Sequence, residues 1–289
     1  MTRAALAILA ALCLASCGHR RPAPPAAASP AVTSANRGLE VWSWIVSDTR
    51  RARWARTPQP GDGTPATPPV TIRDNRDDIE SILAPYESAP TPLDDATRAR
   101  LRDAGLRVLS VPLGDLDRLE ARARLAGPVR HQYLGEVARS TSVYRGPSWD
   151  SPRALAVASS LVALAPGRLD LALRAWATPA DAGPVLWVEL APRFVDSPGS
   201  ERTLADAGAA FALDRDHALV LVPDRPSARW NHSAAAPEPD ALGGTGPQPD
   251  HATVWETMLA TPPAADAARV RVVLVLVPRL PARFELLAR

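Results

Sequence analysis

The stretch Leu213-Asp214-Arg215-Asp216-His217, in "LDRDHALVLV", sets two carboxylates beside an imidazole. A carboxylate that orients a histidine is the arrangement a hydrolase uses to make a general base. Asp214, Asp216 and His217 are therefore the candidate site. The same short run of Asp and a charged residue between two apolar segments is also ordinary turn chemistry, because Asp closes turns through its own backbone. The other histidines are His19, His131, His232 and His251. A zinc site from His217, His232 and His251 has no HxH or HExxH spacing behind it. Ser140, Ser142, Ser148 and Ser159 lie outside any G-x-S-x-G, so no nucleophile elbow is indicated. Gly243 to Gly246, "GGTG", lacks the following Lys of a phosphate-binding loop and reads as a flexible link. The expectation is a chain without catalytic residues, cofactor or metal.

Charge points the same way. The 289 residues carry a formal net charge of +2, which gives no electrostatic case for nucleic acid. Every cation apart from histidine is arginine; GC-rich coding accounts for that together with the abundance of Ala, Pro and Gly. Arg50 to Arg56, "RRARWAR", is a cluster suited to lipid headgroups or an acidic partner, whereas the arginines of "RARLRDAGLR" read as a solvated helix face. Eight Trp against three Phe is unusual. Trp suits sites with one polar edge, and partly buried core positions are expected.

The elements that would position these residues begin after a leader. Arg3 followed by the apolar run Ala4 to Leu14 is too short to cross a bilayer, which takes roughly 20 residues. With small residues at Ala15 and Ser16, it has the layout of a secretory signal peptide. The four residues Leu14-Ala15-Ser16-Cys17 resemble the lipobox of bacterial lipoproteins. The resemblance implies cleavage between Ser16 and Cys17, a diacylglyceryl thioether on Cys17 and acylation of the new amine, for instance by palmitate. Several acyl chains hold stably to a membrane where one does not. It also implies a cell-envelope location, the outer membrane rather than the inner, since Gly18 follows the cysteine. Cys13 leaves with the leader and Cys17 is lipidated, so no disulfide is expected in the mature chain.

The organisation expected is a signal peptide over 1–16, a Pro/Ala-rich tether over 17–38, a small α/β unit over 39–146 and a β-rich unit over 147–289, an α+β fold. "LEVWSWIVSD" is a strand. Asp94 or Asp95 caps a helix that ends at Gly105. "LRVLSVPL" is a strand and Asp115 to Leu125 a second amphipathic helix. Beyond Pro147, apolar segments separated by "APGR", "PADAG" and Asp214-Arg215-Asp216 read as hairpins of a largely antiparallel sheet. "VRVVLVLV", Val270 to Val277, is apolar at nearly every position and should be a central strand covered on both faces. The Pro/Gly-rich segment 227–252 is expected to be disordered, for want of apolar surface to offset its ordering entropy.

The order of segments carries one further resemblance. "GRLDLALRAWATPADAGPVLWVELAPRFV", then "DRDHALVLVPD", then "VWETMLATPPAADAARVRVVLVLVPRL" is similar to the end of the bacterial secretin domain, with Pro278-Arg279-Leu280 closing the last strand. The helix–strand–helix unit loosely resembles the small α/β domains that precede secretin barrels. Pro223-Asp224 stands where the usual glycine pair would be, and amphipathic membrane hairpins are not evident. The resemblance thus implies a subunit of a transport or pilus assembly without the pore. The leading expectation is a non-enzymatic, lipid-anchored envelope protein that binds another envelope component; a periplasmic hydrolase using His217 is the enzymatic alternative.

Overall fold

Alternation of apolar residues along β1 (Gly38–Ser47) divides that strand between two cores: Leu39 and Val41 enter one, Trp42, Trp44 and Val46 the other. This follows from the two-residue period of a strand. The computed structural model describes residues 37–47, 77–157, 160–181, 183–197, 200–224, 251–260 and 270–281, all within one unit, Val32–Arg289. The other strands are β2 (Leu106–Pro112), β3 (Arg130–Gly135), β4 (Val137–Trp149), β5 (Arg153–Val157), β6 (Ser160–Leu164), β7 (Gly167–Ala180), β8 (Gly183–Ser197), β9 (Ser200–Thr203), β10 (Ala209–Leu213), β11 (His217–Pro223) and β12 (Val270–Arg279). Four short α-helices join them: α1 (Ile79–Leu83), α2 (Asp95–Asp103), α3 (Leu116–Arg122) and α4 (Val254–Leu259).

The strands form two main sheets. The first has the order β2-β11-β12-β1-β3, and the second β10-β8-β7-β4 with β9 beside β8; β5 and β6 make a separate hairpin. Every strand pairing is antiparallel. The first sheet is the middle layer of three. Leu219, Leu221, Leu274 and Leu276 face the second sheet, while Val220, Val222, Val273 and Val275 pack with Ile79, Ile82, Leu116 and Leu119 of α1 and α3. Antiparallel sheets commonly leave one face wet. Here both faces are covered, so β11 and β12 are apolar at consecutive positions. Val270 to Val277 lies in the central strand, as its composition predicts.

The α+β expectation is overturned. Among the described residues 60% are in strands and 21% are helical, and the architecture is mostly β with antiparallel sheets. The reason lies in the pairing. β1 and β2 come from the segment expected to be α/β, yet they hydrogen-bond to β12 and β11 near the other end of the chain. The first segment therefore has no sheet of its own, and α1 and α3 cover a sheet that both halves build. Two strands, β3 and β4, carry largely exposed polar residues and show none of the apolar alternation by which strands are recognised. The Asp214-Arg215-Asp216 connection is not a hairpin either. β10 pairs with β8, whereas β11 pairs with β2 and β12, so the chain changes sheets at that turn.

The "APGR" connection is not a hairpin either, since β6 pairs with β5 and β7 with β4 and β8, whereas "PADAG" does join the paired strands β7 and β8. Other local signals are well placed. Asp94 caps α2, its carboxylate accepting the Thr97 N–H at 2.7 Å. Gly105 follows with φ +88°, and a Cβ there would lie 1.8 Å from Thr253 Oγ1. Glycine thus meets two demands at once, the left-handed backbone and the close approach of the cap of α4. Trp44 and Trp255 are fully buried. The Trp255 indole N–H donates to the Ala207 carbonyl at 3.1 Å, so its polar edge is met inside the protein.

Candidate functional site

Asp214, Asp216 and His217 do come together. His217 Nδ1 lies 3.0 Å from both carboxylate oxygens of Asp214. The same carboxylate accepts the backbone N–H groups of Asp216 and His217 at 2.8 and 2.9 Å. Burial opposes the charge on Asp214, but those backbone and imidazole hydrogen bonds prevail and hold its carboxyl below the usual range. Asp216 turns away to Arg215, 3.5 Å distant, and its carbonyl accepts the Leu113 N–H. The Asp214 and His217 side chains are 57% and 45% exposed. An Asp-bound histidine is oriented as a base would be, yet the aspartate's acceptor positions close the turn between the sheets, and water has free access to the pair. The geometry is that of a turn lock at a sheet-to-sheet crossing.

A second cluster, which sequence reasoning did not single out, lies where β11 ends. Arg107 on β2 and Arg271 on β12 flank the last residues of β11 on the face turned toward α1. Glu80, in the first turn of α1, bridges them: one carboxylate oxygen is 2.5 Å from Arg107 Nη2 and the other 2.9 Å from Arg271 Nη2. Arg271 is fully buried and also donates to the Pro223 carbonyl at 2.8 Å. Arg107 reaches Glu87 at 2.8 Å and brings Nε within 2.8 Å of Asp224, a charge contact without the alignment of a hydrogen bond. The fork geometry of guanidinium suits this multiple pairing.

Around these groups is an open cleft of about 640 Å³ lined by Glu80, Arg102, Gly105, Arg107, Asp224, Thr253 and Glu256. Its carboxylates respond differently. Burial would raise Glu80, but Arg107 and Arg271 outweigh it and its carboxyl is lowered. Burial raises Asp224 despite Arg107, and burial raises Glu256 despite the Thr253 hydrogen bonds. Glu256 and Thr253 form a reciprocal capping box at the start of α4. Burial thus favours the neutral forms of Asp224 and Glu256, while the charges of Glu80, Arg107 and Arg271 oppose one another. One signal for it exists in the sequence: Arg271 is a lone charge inside an apolar central strand, and a buried charge needs a partner.

Among the described residues no group of three His, Cys, Asp or Glu side chains is placed to hold a metal ion. Ser16, Cys17 and His232 lie outside the described residues, as does all of the 227–252 segment except 251–252. No helix among the described residues is long and apolar enough to cross a membrane. No protein-family model matches the chain, and no curated protein or solved structure matches it.

Proposed function

We propose that the chain is a lipid-anchored protein of the bacterial cell envelope, held by Cys17, whose β core is a non-catalytic binding or structural module. The observation that carries this reading is the placement of Cys17, directly after the apolar run Ala4 to Leu14 and Ala15-Ser16 and directly before a Pro/Ala-rich stretch. Two features of the core are consistent with a module that binds rather than reacts. The Asp214 carboxylate is engaged by backbone N–H groups, and the charges of Glu80, Arg107 and Arg271 satisfy one another. Tyr133 is the one large apolar side chain exposed among the described residues. A protein partner in the envelope would therefore meet a polar surface, and the membrane would be reached through the lipid.

The test is metabolic labelling with palmitate of the wild-type chain and of Cys17→Ala, followed by membrane fractionation. The reading expects label on the wild type only, and release of the variant from the membrane fraction. Equal label and equal membrane retention of the two would sink it.

A further inference from the structure

β3 is an edge of the first sheet and β4 an edge of the second, and Glu136 joins the two strands. Between the start of β3 and the middle of β4, against β1 and β12, lies a cleft of about 390 Å³. Its floor is Val41, Ser43 and Ile45 of β1 with Val272 and Leu274 of β12, its wall is Val143 and Tyr144 of β4, and Gln132 of β3 adds a polar side chain. A register shift between Ser142 and Tyr144 breaks the alternation of β4 there, and both Val143 and Tyr144 pack on the inter-sheet core.

The rim is cationic. Arg130 of β3 and Arg145 of β4 line the cleft, are both exposed, and have no carboxylate partner among the described residues. Elsewhere Arg107, Arg174, Arg193 and Arg279 each carry a carboxylate. Arg130 stands close enough to Tyr144 for its charge to act on the phenol, whose ionisation burial otherwise suppresses. A largely apolar floor, the Tyr144 side chain on the wall and two exposed guanidinium groups thus share one lining. A guanidinium matches a carboxylate in shape and charge. The volume is at the lower end of the roughly 300–1,000 Å³ of small-molecule sites, enough for one acyl chain rather than two.

We propose that this inter-sheet cleft binds a free fatty acid, its chain against Val41, Ile45 and Leu274 and its carboxylate between Arg130 and Arg145. This goes beyond the anchoring function and does not depend on Cys17. The probe is a palmitate analogue with a mid-chain diazirine, photolysed with the full-length protein in detergent solution, against the matching hexadecanol analogue. The crosslinks should map to 38–47, 137–149 and 270–279. Arg130→Ala with Arg145→Ala should lower them about tenfold, and the neutral alcohol should label about tenfold less than the acid. Ser43→Phe, which fills the cleft and keeps both arginines, should abolish the label; this guards against a misfolded arginine variant. Label spread over other segments, label unchanged in the double variant, or equal labelling by the alcohol would each overturn the proposal. Failure of the anchor would show at Cys17 and leave these crosslinks in place.

Discussion

The turn at Asp214 and the network at Glu80 are built from the same chemistry, carboxylates facing a cationic partner, and differ in what surrounds them. At the turn, Asp214 and His217 are exposed and three residues apart in sequence. In the network, Arg271 is fully buried and pairs with a residue 191 positions away. An exposed pair gains little because water solvates each charge nearly as well as the partner does. A buried pair gains more from its partner because the alternative is an uncompensated charge in a poor solvent. Composition alone draws attention to the turn, and burial assigns the structural weight to the network. The network also spans the fold: it ties α1 and β2 to the end of β11 and to β12, segments from both ends of the chain.

The largest effect should come from removing the buried member. Arg271→Ala removes a fully buried side chain and the donor to the Pro223 carbonyl while Glu80 keeps Arg107, and should lower unfolding free energy by about 2–4 kcal/mol, read by urea denaturation. A loss below about 1 kcal/mol would place this network on a par with the turn. Gly105→Ala comes next. It adds a methyl against Thr253 in a left-handed backbone and should cost about 1–3 kcal/mol, with α4 loosened from the end of α2. Hydrogen exchange of the Trp255 amide, which donates to Ala104, reports that loosening directly.

The acid response of the cleft should be smaller and has a definite sign. Asp224 and Glu256 have folded pKa values raised by burial, so the folded state binds protons before the unfolded one does. Stability should therefore rise as pH falls from about 7 toward the ordinary carboxylate range. Glu80 is lowered, so its contribution is present above that range and is lost as pH falls further, through its folded value. Glu256→Gln keeps a capping acceptor and should flatten the rise while leaving the later fall. A melting temperature of the wild type that drops steadily from neutral pH would contradict this. The smallest effect belongs to the turn: Asp214→Ala should cost about 1 kcal/mol or less, since its bonds are exposed. A loss of several kcal/mol there would invert the ranking of the two sites.

Local grammar was legible in the sequence where one residue decides the geometry. Asp94 as a cap, Gly105 as a helix stop and Val270 to Val277 as a central strand each follow from a propensity or a pattern. What was not legible is pairing across long separation. Nothing in Leu39 to Val46 says that its partner begins at Val270, so the first half of the chain reads as a domain and in fact supplies strands to both sheets and a helical cover for one of them. β3 and β4 escaped because edge strands with exposed polar residues carry no apolar period. The network escaped because Glu80 and Arg107 look like surface charges, and only Arg271 stands out as a charge among valines.

Two double-mutant cycles run side by side test the central claim most directly, one on Glu80 and Arg271, the other on Asp214 and His217. Equilibrium unfolding of the single and double alanine variants gives each coupling energy. The buried pair should couple by about 2–3 kcal/mol and the exposed pair by about 0.5 kcal/mol or less. Equal couplings, or a larger one at Asp214 and His217, would contradict the claim that the buried network, and not the turn, locks the two ends of the chain into one sheet.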